Sequence, residues 1–298
     1  MKIGVSAFAW TTRFTTGHTR VLAGLRAQGI THFEVAMFDP SDVPVAELRR
    51  AFEANGMEVS VCAILPAGIN PISEDAAVRA RSVEHLRRVI ETTAELGGEL
   101  VCGPVYAPIG YLPGRRRNPQ EWGWAVECMQ ALESPLEQNK VMLAVEPVNR
   151  SETFFLNTAK DALELCAAVG HEHVGVTIDT FHANIEEKNI AASVTLLGHR
   201  LKHLHASEND RGVAGSGHVD FPAIVQALQA MRYDGVLMLE GFGYSADEPD
   251  SLGVLWGDPG VSPEDIAFQG ANYLRSLIAN SIDVCNSTAS LSLLPMTS

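Results

Sequence analysis

The stretch that decides the fold is LKHLHASENDRGVAGSGHVDFPAIVQALQAMRYDGVLMLEGF, residues 201–242. It begins with one short apolar run, LKHLHAS, and ends with another, VLMLEGF, and both have the pattern of buried strands. The segment PAIVQALQAMRYDG between them has the apolar spacing of one buried helix face. The residues of this face are Ile224, Ala227, Leu228 and Met231. The stretch therefore predicts a strand, a helix and a second strand.

The same alternation runs along the rest of the chain. The six earlier strand candidates are KIGVSAFA (2–9), THFEVAMF (31–38), EVSVCAIL (58–65), LVCGPVY (100–106), VMLAVEPV (141–148) and VGVTIDT (174–180). Helical patterns lie between them, for example AELRRAFEANG and the segment around Val83 to Leu96, and a last helix opens at Ser262 and Pro263. Strands that alternate with helices without a composition break predict a single (β/α)8 TIM barrel.

The predicted barrel covers residues 1–280 as one catalytic domain. The Ser/Thr-rich end of the chain, residues 281–298, is expected to be a poorly ordered tail. The alternative is a doubly wound open sheet, which usually has a glycine-rich phosphate loop after its first strand. Here TTRFTTGHT follows the first strand, without the G-x-G-x-x-G pattern, and the barrel is therefore favoured.

Composition limits the class of partner. The 298 residues carry a net charge of -14, which argues against nucleic acid or an anionic membrane surface as the main partner and is compatible with a small neutral substrate. The apolar N-terminal run IGVSAFAW is far shorter than a membrane span. The five cysteines form no C-x-x-C pair, which suits free thiols in a reducing compartment, so a cytoplasmic location is expected.

Four potential metal ligands occupy the same position on four consecutive predicted strands. The fifth to eighth strands end in Glu146, Asp179, His205 and Glu240. Chemistry in a TIM barrel collects at the carboxyl-terminal ends of the strands. A single acid at such an end is most often a helix cap or an ion-pair partner, but four in register favour a metal centre, because unpaired buried charges are costly. Three carboxylates and one imidazole suit Mn²⁺ best, with Co²⁺ or Mg²⁺ as alternatives.

These motifs resemble those of a known family. VEPVNRSETFFLNT, VTIDTFHANIEE, HLHASENDRG and MLEGF are similar to the metal-site motifs of the sugar isomerase/epimerase superfamily of xylose isomerase-like TIM barrels. The resemblance is greatest to the ketose 3-epimerase group, which includes the epimerases of D-tagatose, D-psicose (D-allulose) and L-ribulose. It implies that Glu146, Asp179, His205 and Glu240 bind the metal. It also implies a homodimer or homotetramer.

The resemblance further implies that three residues, Glu152, His182 and Arg211, hold the substrate near its carbonyl. Inversion of a ketose at C3 needs removal of the proton beside the C2 carbonyl and its return from the opposite face. Two carboxylates on opposite sides of the sugar can exchange these roles of base and acid. Glu146 and Glu240 fit this requirement, because they stand on the two outermost strands of the ligand set.

Two other enzyme reactions remain open at this point. The same intermediate serves an aldose–ketose isomerase, such as a hydroxypyruvate isomerase, and a dehydratase of a keto-sugar or keto-cyclitol also uses such a site. A sugar-binding module with an inactive site is a third alternative, which the full ligand set argues against. The sequence leaves the preferred ketose, its phosphorylation and the role of the loop Arg115–Arg117 undecided, with a solvated turn favoured over a phosphate clamp.

The two histidines in HLHAS are expected to have different roles. Both side chains face the same side of the strand, because they stand two residues apart. His205 lies at the end of the strand and is the predicted ligand. His203 lies one layer lower and is expected to be a hydrogen-bonded interior residue that supports the site, while Glu208 and Asp210 are expected to shape the following loop.

Overall fold

In the computed structural model of the protein, residues 1–243 and 260–291 are described, with side chains as far as residue 280. These residues form eight parallel strands that pair in chain order and close into a barrel, with the last strand beside the first. The strands are β1 (Lys2–Ser6), β2 (His32–Met37), β3 (Glu58–Ala63), β4 (Leu100–Gly103), β5 (Met142–Val145), β6 (Val174–Asp179), β7 (Leu201–Ala206) and β8 (Val236–Leu239). The predicted (β/α)8 TIM barrel is confirmed.

Helices pack around this barrel. They are α1 (Val21–Ala27), α2 (Val45–Asn55), α3 (Ala76–Glu95), α4 (Pro119–Gln130), α5 (Glu133–Asn139), α6 (Ala159–Val169), α7 (Thr180–Glu186), α8 (Ile190–Leu197), α9 (Phe221–Ala230) and α10 (Pro263–Leu291). The helix predicted from the apolar face in 222–235 is α9, which ends before Arg232, where the backbone takes a left-handed φ of 57°. The start predicted for the last helix is also observed, since Ser262 Oγ accepts the N–H of Asp265.

Most strand residues are apolar, and most are buried on both faces of the sheet. Every residue of β2 and β6 is buried, as parallel strands covered by helices require. Several strands end earlier than the apolar runs suggested, and β1 and β4 show the cause most clearly. Ser6 Oγ caps a short 3-10 turn that follows β1, and Gly103 ends β4 with a φ of 126°. The carboxyl-terminal mouth of the barrel is therefore made of turns rather than longer strands.

Strand register places the predicted ligands at one level. Asp179 on β6 is the direct partner of His205 on β7, and His205 in turn pairs with Met238 on β8. Glu240 follows β8, and its N–H donates to Ala206 O at 3.4 Å. The fold thus sets side chains from neighbouring strands around the same end of the barrel.

Several predictions concern the ends of the chain and its thiols. Helix α10 reaches Leu291, within the segment predicted as a tail, while residues 292–298 lie outside the described part. Within residues 1–243 and 260–291, the structure contains no helix that is both long and apolar enough to span a membrane. The cysteines whose side chains are described are buried free thiols, namely Cys62, Cys102, Cys128 and Cys166.

Candidate active site

The side chains of Glu146, Asp179, His205 and Glu240 converge at the carboxyl-terminal end of the barrel. All four are buried, and one carboxylate oxygen or ring nitrogen from each lies within 4.8 Å of those from the others. The fold therefore brings together the four residues that the sequence singled out as ligands.

The strand ends position these groups. Glu146 directly follows β5, and its N–H donates to Gly103 O at the end of β4 (3.1 Å). Asp179 is the last residue of β6 and also caps α7, because its Oδ1 accepts the N–H of Phe181 at 2.7 Å. This cap uses one oxygen of the carboxylate, and the other, Oδ2, contacts Arg211. The helix-cap role and the role in the site are thus both filled by one side chain.

His205 stands between carboxylates on both edges of its ring. Its Nδ1 lies 3.2 Å from Glu146 Oε1 and 3.4 Å from Glu240 Oε2, while its Nε2 lies 3.0 Å from Glu34 Oε1. Burial by itself would lower the pKa of His205. The charges of Glu240, Glu34 and Glu146 outweigh burial and hold that pKa well above its usual range.

The carboxyl groups of the site differ in acidity. Burial raises the pKa of Glu146 to about 7, against the opposing effect of His205, and the charges of Glu240 and Asp179 add to the rise. Burial also acts to raise the pKa of Asp179, but the charge of Arg211 outweighs burial and lowers that pKa well below its ordinary value. Environment thus separates two acids of one cluster, a pattern that is common at functional sites.

The donor set fits a hard divalent cation. Three carboxylates and one imidazole point at a common region from which solvent is excluded, and their mutual repulsion is relieved by positive charge. Carboxylate oxygens with one ring nitrogen suit Mn²⁺, Mg²⁺ or Co²⁺ better than a thiolate-bound structural zinc. The residues that would hold such an ion are Glu146, Asp179, His205 and Glu240.

Arg211 reaches into this cluster from the loop after β7. Its Nη1 donates to Asp179 Oδ2 at 2.5 Å and to Glu240 Oε2 at 2.7 Å. The guanidinium lies between the rings of Phe181 and Phe242, 4.2 and 5.0 Å from their centroids. Arg211 itself has a left-handed φ of 62°, which is uncommon for a residue other than glycine. The backbone of the loop is therefore strained at Arg211, and this conformation places the guanidinium beside Asp179 and Glu240.

The ring of His182 has hydrogen-bond donors beside both of its nitrogens. The backbone N–H and the side-chain amide of Asn149 lie 3.3 and 2.9 Å from Nδ1. The amide orientation is set by its neighbours, because Oδ1 accepts from Ser151 N–H and Nδ2 donates to Glu152. Burial lowers the pKa of His182 to about 3, so the ring is neutral and has one proton. Two donors from Asn149 face Nδ1 and one donor, Arg211 Nη2, faces Nε2 at 3.2 Å, so we assign the acceptor role to Nδ1 and the proton to Nε2.

Glu152 completes the group of predicted substrate residues. Its Oε1 accepts from Asn149 Nδ2 at 2.8 Å and lies 3.9 Å from His182 Nδ1. The side chain is 31% exposed, so it is the member of the group most open to solvent. Burial raises its pKa, while the bond from Asn149 acts in the opposite direction. Glu152, His182 and Arg211 therefore form one connected edge beside the four-residue cluster.

Two residues with clear roles in the geometry were missed from the sequence. Asn149 orients His182, and Glu34 on β2 binds both histidines of β7, with its Oε2 2.9 Å from His203 Nε2. His203 is a buried residue hydrogen-bonded in the barrel interior, as predicted. Glu34 carried a usable signal, since it is a lone acid inside the apolar run THFEVAMF, where an unpaired charge would be costly. Asn149 gave none, because it is one of several polar residues in a loop.

The loop after β7 is built around Glu208, as expected. Its carboxylate is buried and accepts the N–H groups of Asn209, Gly215 and Val219. Asp210 also accepts a backbone N–H, that of Gly212. The loop that carries Arg211 is therefore shaped from within by acidic side chains.

Two arginines of the loop Arg115–Arg117 are engaged by carboxylates. Arg115 Nη2 donates to Glu121 at 2.7 Å, and Arg117 Nη2 donates to Asp161 at 2.7 Å. Arg117 also lies over the ring of Trp122, 4.7 Å from its centroid. These pairs neutralise the guanidiniums, which weakens the phosphate-clamp interpretation of the loop.

Comparison with known proteins gives a consistent result. A probable ketose 3-epimerase from Synechocystis sp. is 30% identical over 275 residues, covering 92% of this chain and 96% of that protein. A ketose 3-epimerase from Arthrobacter globiformis is 32% identical over 267 residues, covering 87% and 91%. The crystal structure of D-allulose 3-epimerase from Methylomonas sp. in complex with D-allulose superposes with a TM-score of 0.86 at 28% identity, covering 93% and 96%.

The family relationship covers most of the barrel. The family described as xylose isomerase-like TIM barrel matches residues 22–277. The three relatives above are all named as carbohydrate epimerases, in agreement with the isomerase class predicted from the motifs. On the combined evidence of barrel, site and sequence, the chain belongs to the xylose isomerase-like TIM barrel family.

Proposed function

We propose that the protein is a metal-dependent ketose 3-epimerase. The observation that carries the proposal is the placement of two buried carboxylates, Glu146 and Glu240, beside the same nitrogen of His205, at 3.2 and 3.4 Å. An epimerase needs two acid/base groups around one reacting carbon, and this pair provides them. The names of the relatives support the same reaction class.

Four residues are proposed to hold the ion: Glu146, Asp179, His205 and Glu240. Mn²⁺ is the favoured ion, with Co²⁺ or Mg²⁺ as alternatives, because the donors are mostly carboxylate oxygens. When bound, the cation supplies Lewis-acid stabilisation of negative charge on the oxygens of the sugar.

Side chains of the protein carry out the proton transfers and stabilise the developing charge. One of Glu146 and Glu240 removes the proton from C3 of the ketose, which leaves an enediolate, and the other returns a proton to C3 from the opposite face. Arg211 and the Nε2–H of His182 donate hydrogen bonds to the developing oxyanion. Glu152 positions a neighbouring hydroxyl and, with its raised pKa, can pass on a proton there.

The proposed substrate is a free ketose of the D-tagatose, D-fructose/D-psicose or L-ribulose type. The Methylomonas relative was crystallised with D-allulose, an unphosphorylated ketose. In this chain Arg115 and Arg117 are already paired with carboxylates, which supports a substrate without a phosphate group. The overall charge of -14 also disfavours an anionic ligand.

The reaction can be tested by incubating the Mn²⁺-loaded protein with D-tagatose, D-fructose, L-ribulose and hydroxypyruvate in D₂O, with NMR as the readout. Deuterium at C3 together with the inverted sugar is expected. An aldose product would instead favour an aldose–ketose isomerase, and loss of water would favour a dehydratase. Glu146→Gln and Glu240→Gln should each abolish turnover, and normal C3 inversion in either variant would remove that residue from the mechanism.

We further propose a cytoplasmic homodimer or homotetramer with its catalytic domain in residues 1–280. The buried free thiols support a reducing compartment. Light scattering coupled to size-exclusion chromatography would give the oligomeric state. Truncation after residue 280 would test whether the segment 281–298 is a dispensable tail.

A further inference from the structure

Glu34 is a buried acid inside the barrel that the proposed reaction does not use. It lies on β2, across the barrel from the histidines of β7, and its side chain is 0% exposed. A carboxylate in such a place is costly unless it serves its partners.

The two oxygens of Glu34 have different neighbours. Oε2 is crowded by donors: His203 Nε2 at 2.9 Å, Ser60 Oγ at 3.1 Å and Cys102 Sγ at 3.2 Å. Oε1 lies 3.0 Å from His205 Nε2, and among the described residues it receives no well-aligned hydrogen bond from a side chain. The donors of the barrel interior therefore occupy Oε2, whereas Oε1 faces the candidate ligand His205.

We propose that Glu34 is a positioning residue, which keeps the ring proton of His205 on Nε2 and so leaves the lone pair of Nδ1 facing Glu146 and Glu240. An imidazole that binds a cation is neutral and has one ring proton, and a carboxylate beside Nε2 can only accept that proton. Metal-binding histidines almost always donate their second nitrogen in this way. The inference rests on the metal site of the proposed function and assigns Nδ1 as the ligand atom.

Replacement of Glu34 by glutamine tests the proposed position of the His205 ring proton. The amide has the shape of the carboxylate but only one accepting oxygen. Three donors point at the Oε2 position, so the amide oxygen is expected there, which leaves the NH₂ group facing His205 Nε2. That nitrogen must then accept, and the proton of His205 moves to Nδ1, where it competes with the cation.

The first experiment measures Mn²⁺ binding by titration calorimetry in the wild-type protein, Glu34→Gln and a control. The control is Glu121→Gln, because Glu121 is also buried but pairs with Arg115 away from the site. Glu34→Gln should weaken binding by roughly 10- to 100-fold, and Glu121→Gln should leave it unchanged. Glu34→Asp keeps two accepting oxygens and should recover part of the loss.

The second experiment needs no variant, in case Glu34→Gln does not fold. Histidine labelled with ¹⁵N in the Mg²⁺-loaded wild-type protein should show His205 with a protonated Nε2 and a ligated Nδ1. A protonated Nδ1 would overturn the proposal, as would unchanged Mn²⁺ affinity in a folded Glu34→Gln variant. Two ions per chain, one of which is lost in Glu34→Gln, would also overturn it, because Glu34 would then be a ligand. Failure of the wild-type protein to bind Mn²⁺ would instead contradict the proposed function.

Discussion

The ring of His182, in the proposed substrate site, is oriented by a neighbouring residue, Asn149. Two donors from Asn149 face Nδ1, so the single proton of the neutral ring is directed to Nε2. There it faces a guanidinium nitrogen of Arg211 at 3.2 Å. Two donors that face each other do not bind one another, but an oxygen between them can accept from both. This arrangement suits an oxygen of the substrate that gains negative charge.

Replacing Asn149 by Asp should disturb this arrangement without changing the size of the side chain. The carboxylate cannot donate to His182, and it favours the ring proton on Nδ1. The hydrogen bond from Nε2 to substrate is then lost, and kcat/KM for the ketose should fall by about 10-fold or more, as expected for one lost hydrogen bond. The control Asn139→Asp changes an amide of α5 that donates to Pro135 O. Equal kcat/KM in both variants would contradict this role of Asn149.

The contacts of Arg211 depend on the planar shape of its guanidinium as well as on its charge. Its Nη1 contacts Asp179 and Glu240 while Nη2 faces His182, and a lysine ammonium cannot cover both positions from one point. Arg211→Lys should therefore reduce kcat/KM by roughly 10- to 100-fold, the range for hydrogen bonds to charged groups. The matched control is Arg87→Lys, whose guanidinium pairs with acids on the outside of α3. Steady-state kinetics of a Mn²⁺-loaded Arg211→Lys variant that match the wild-type values would refute this.

At the level of elements, periodicity and strand ends were enough to predict the barrel and the four converging residues. A strand end is recognisable because an apolar run stops at a polar residue, and parallel strands bring such ends together. The position of Glu34 in an apolar run signals a buried acid, but its partners could not be predicted, because the contact crosses the barrel from β2 to β7 and no local pattern encodes it. The early ends of β1 and β4 were hidden for a different reason. Turns set by Ser6 and Gly103 override the apolar pattern there.

Gly103 is the element boundary where the backbone is most restrictive. It has a φ of 126°, and a Cβ there would lie 2.3 Å from Ala63 O. Gly103→Ala should lower the free energy of unfolding by ~3 kcal/mol or more, from backbone strain and the clash together. Gly123→Ala in α4 is the control, because its Cβ would meet nothing within 4 Å, and it should stabilise the helix by ~0.5–1 kcal/mol. Urea unfolding of both variants measures the difference, and a Gly103→Ala variant as stable as wild type would contradict the argument.

At the scale of the whole molecule, the barrel concentrates like charges at one end of its interior. Glu146, Asp179 and Glu240 are buried together, with Arg211 and His205 as the nearest balancing groups. Such a cluster makes the stability of the metal-free protein depend on its protonation. Proton binding and cation binding are then competing ways to relieve the same repulsion.

The titration of Glu146 should make the free energy of unfolding of the metal-free protein depend on pH in a measurable way. Its pKa is raised by burial from an ordinary 4.5 to about 7, so the folded state binds its proton more tightly than the unfolded chain does. By linkage, the contribution of Glu146 to the free energy of unfolding is greatest below pH 4.5 and declines as the pH rises to about 7. Other groups also contribute to the pH dependence of stability, for example His32 and His85, whose pKa values burial lowers. The contribution of Glu146 is therefore isolated by comparison with Glu146→Gln.

The metal-free Glu146→Gln variant should gain stability relative to the wild-type protein as the pH is raised from about 5 to about 8. Urea unfolding at several pH values in this range, with EDTA present, measures the difference between the two free energies of unfolding. Added Mn²⁺ should stabilise the wild-type protein more at the upper end of the range, because fewer protons must be displaced from the ligands. The same series in Glu121→Gln is the control, since Arg115 lowers the pKa of Glu121 and its titration falls below this range. A difference between wild type and Glu146→Gln that stays constant with pH would show that Glu146 is already ionised in the folded metal-free protein.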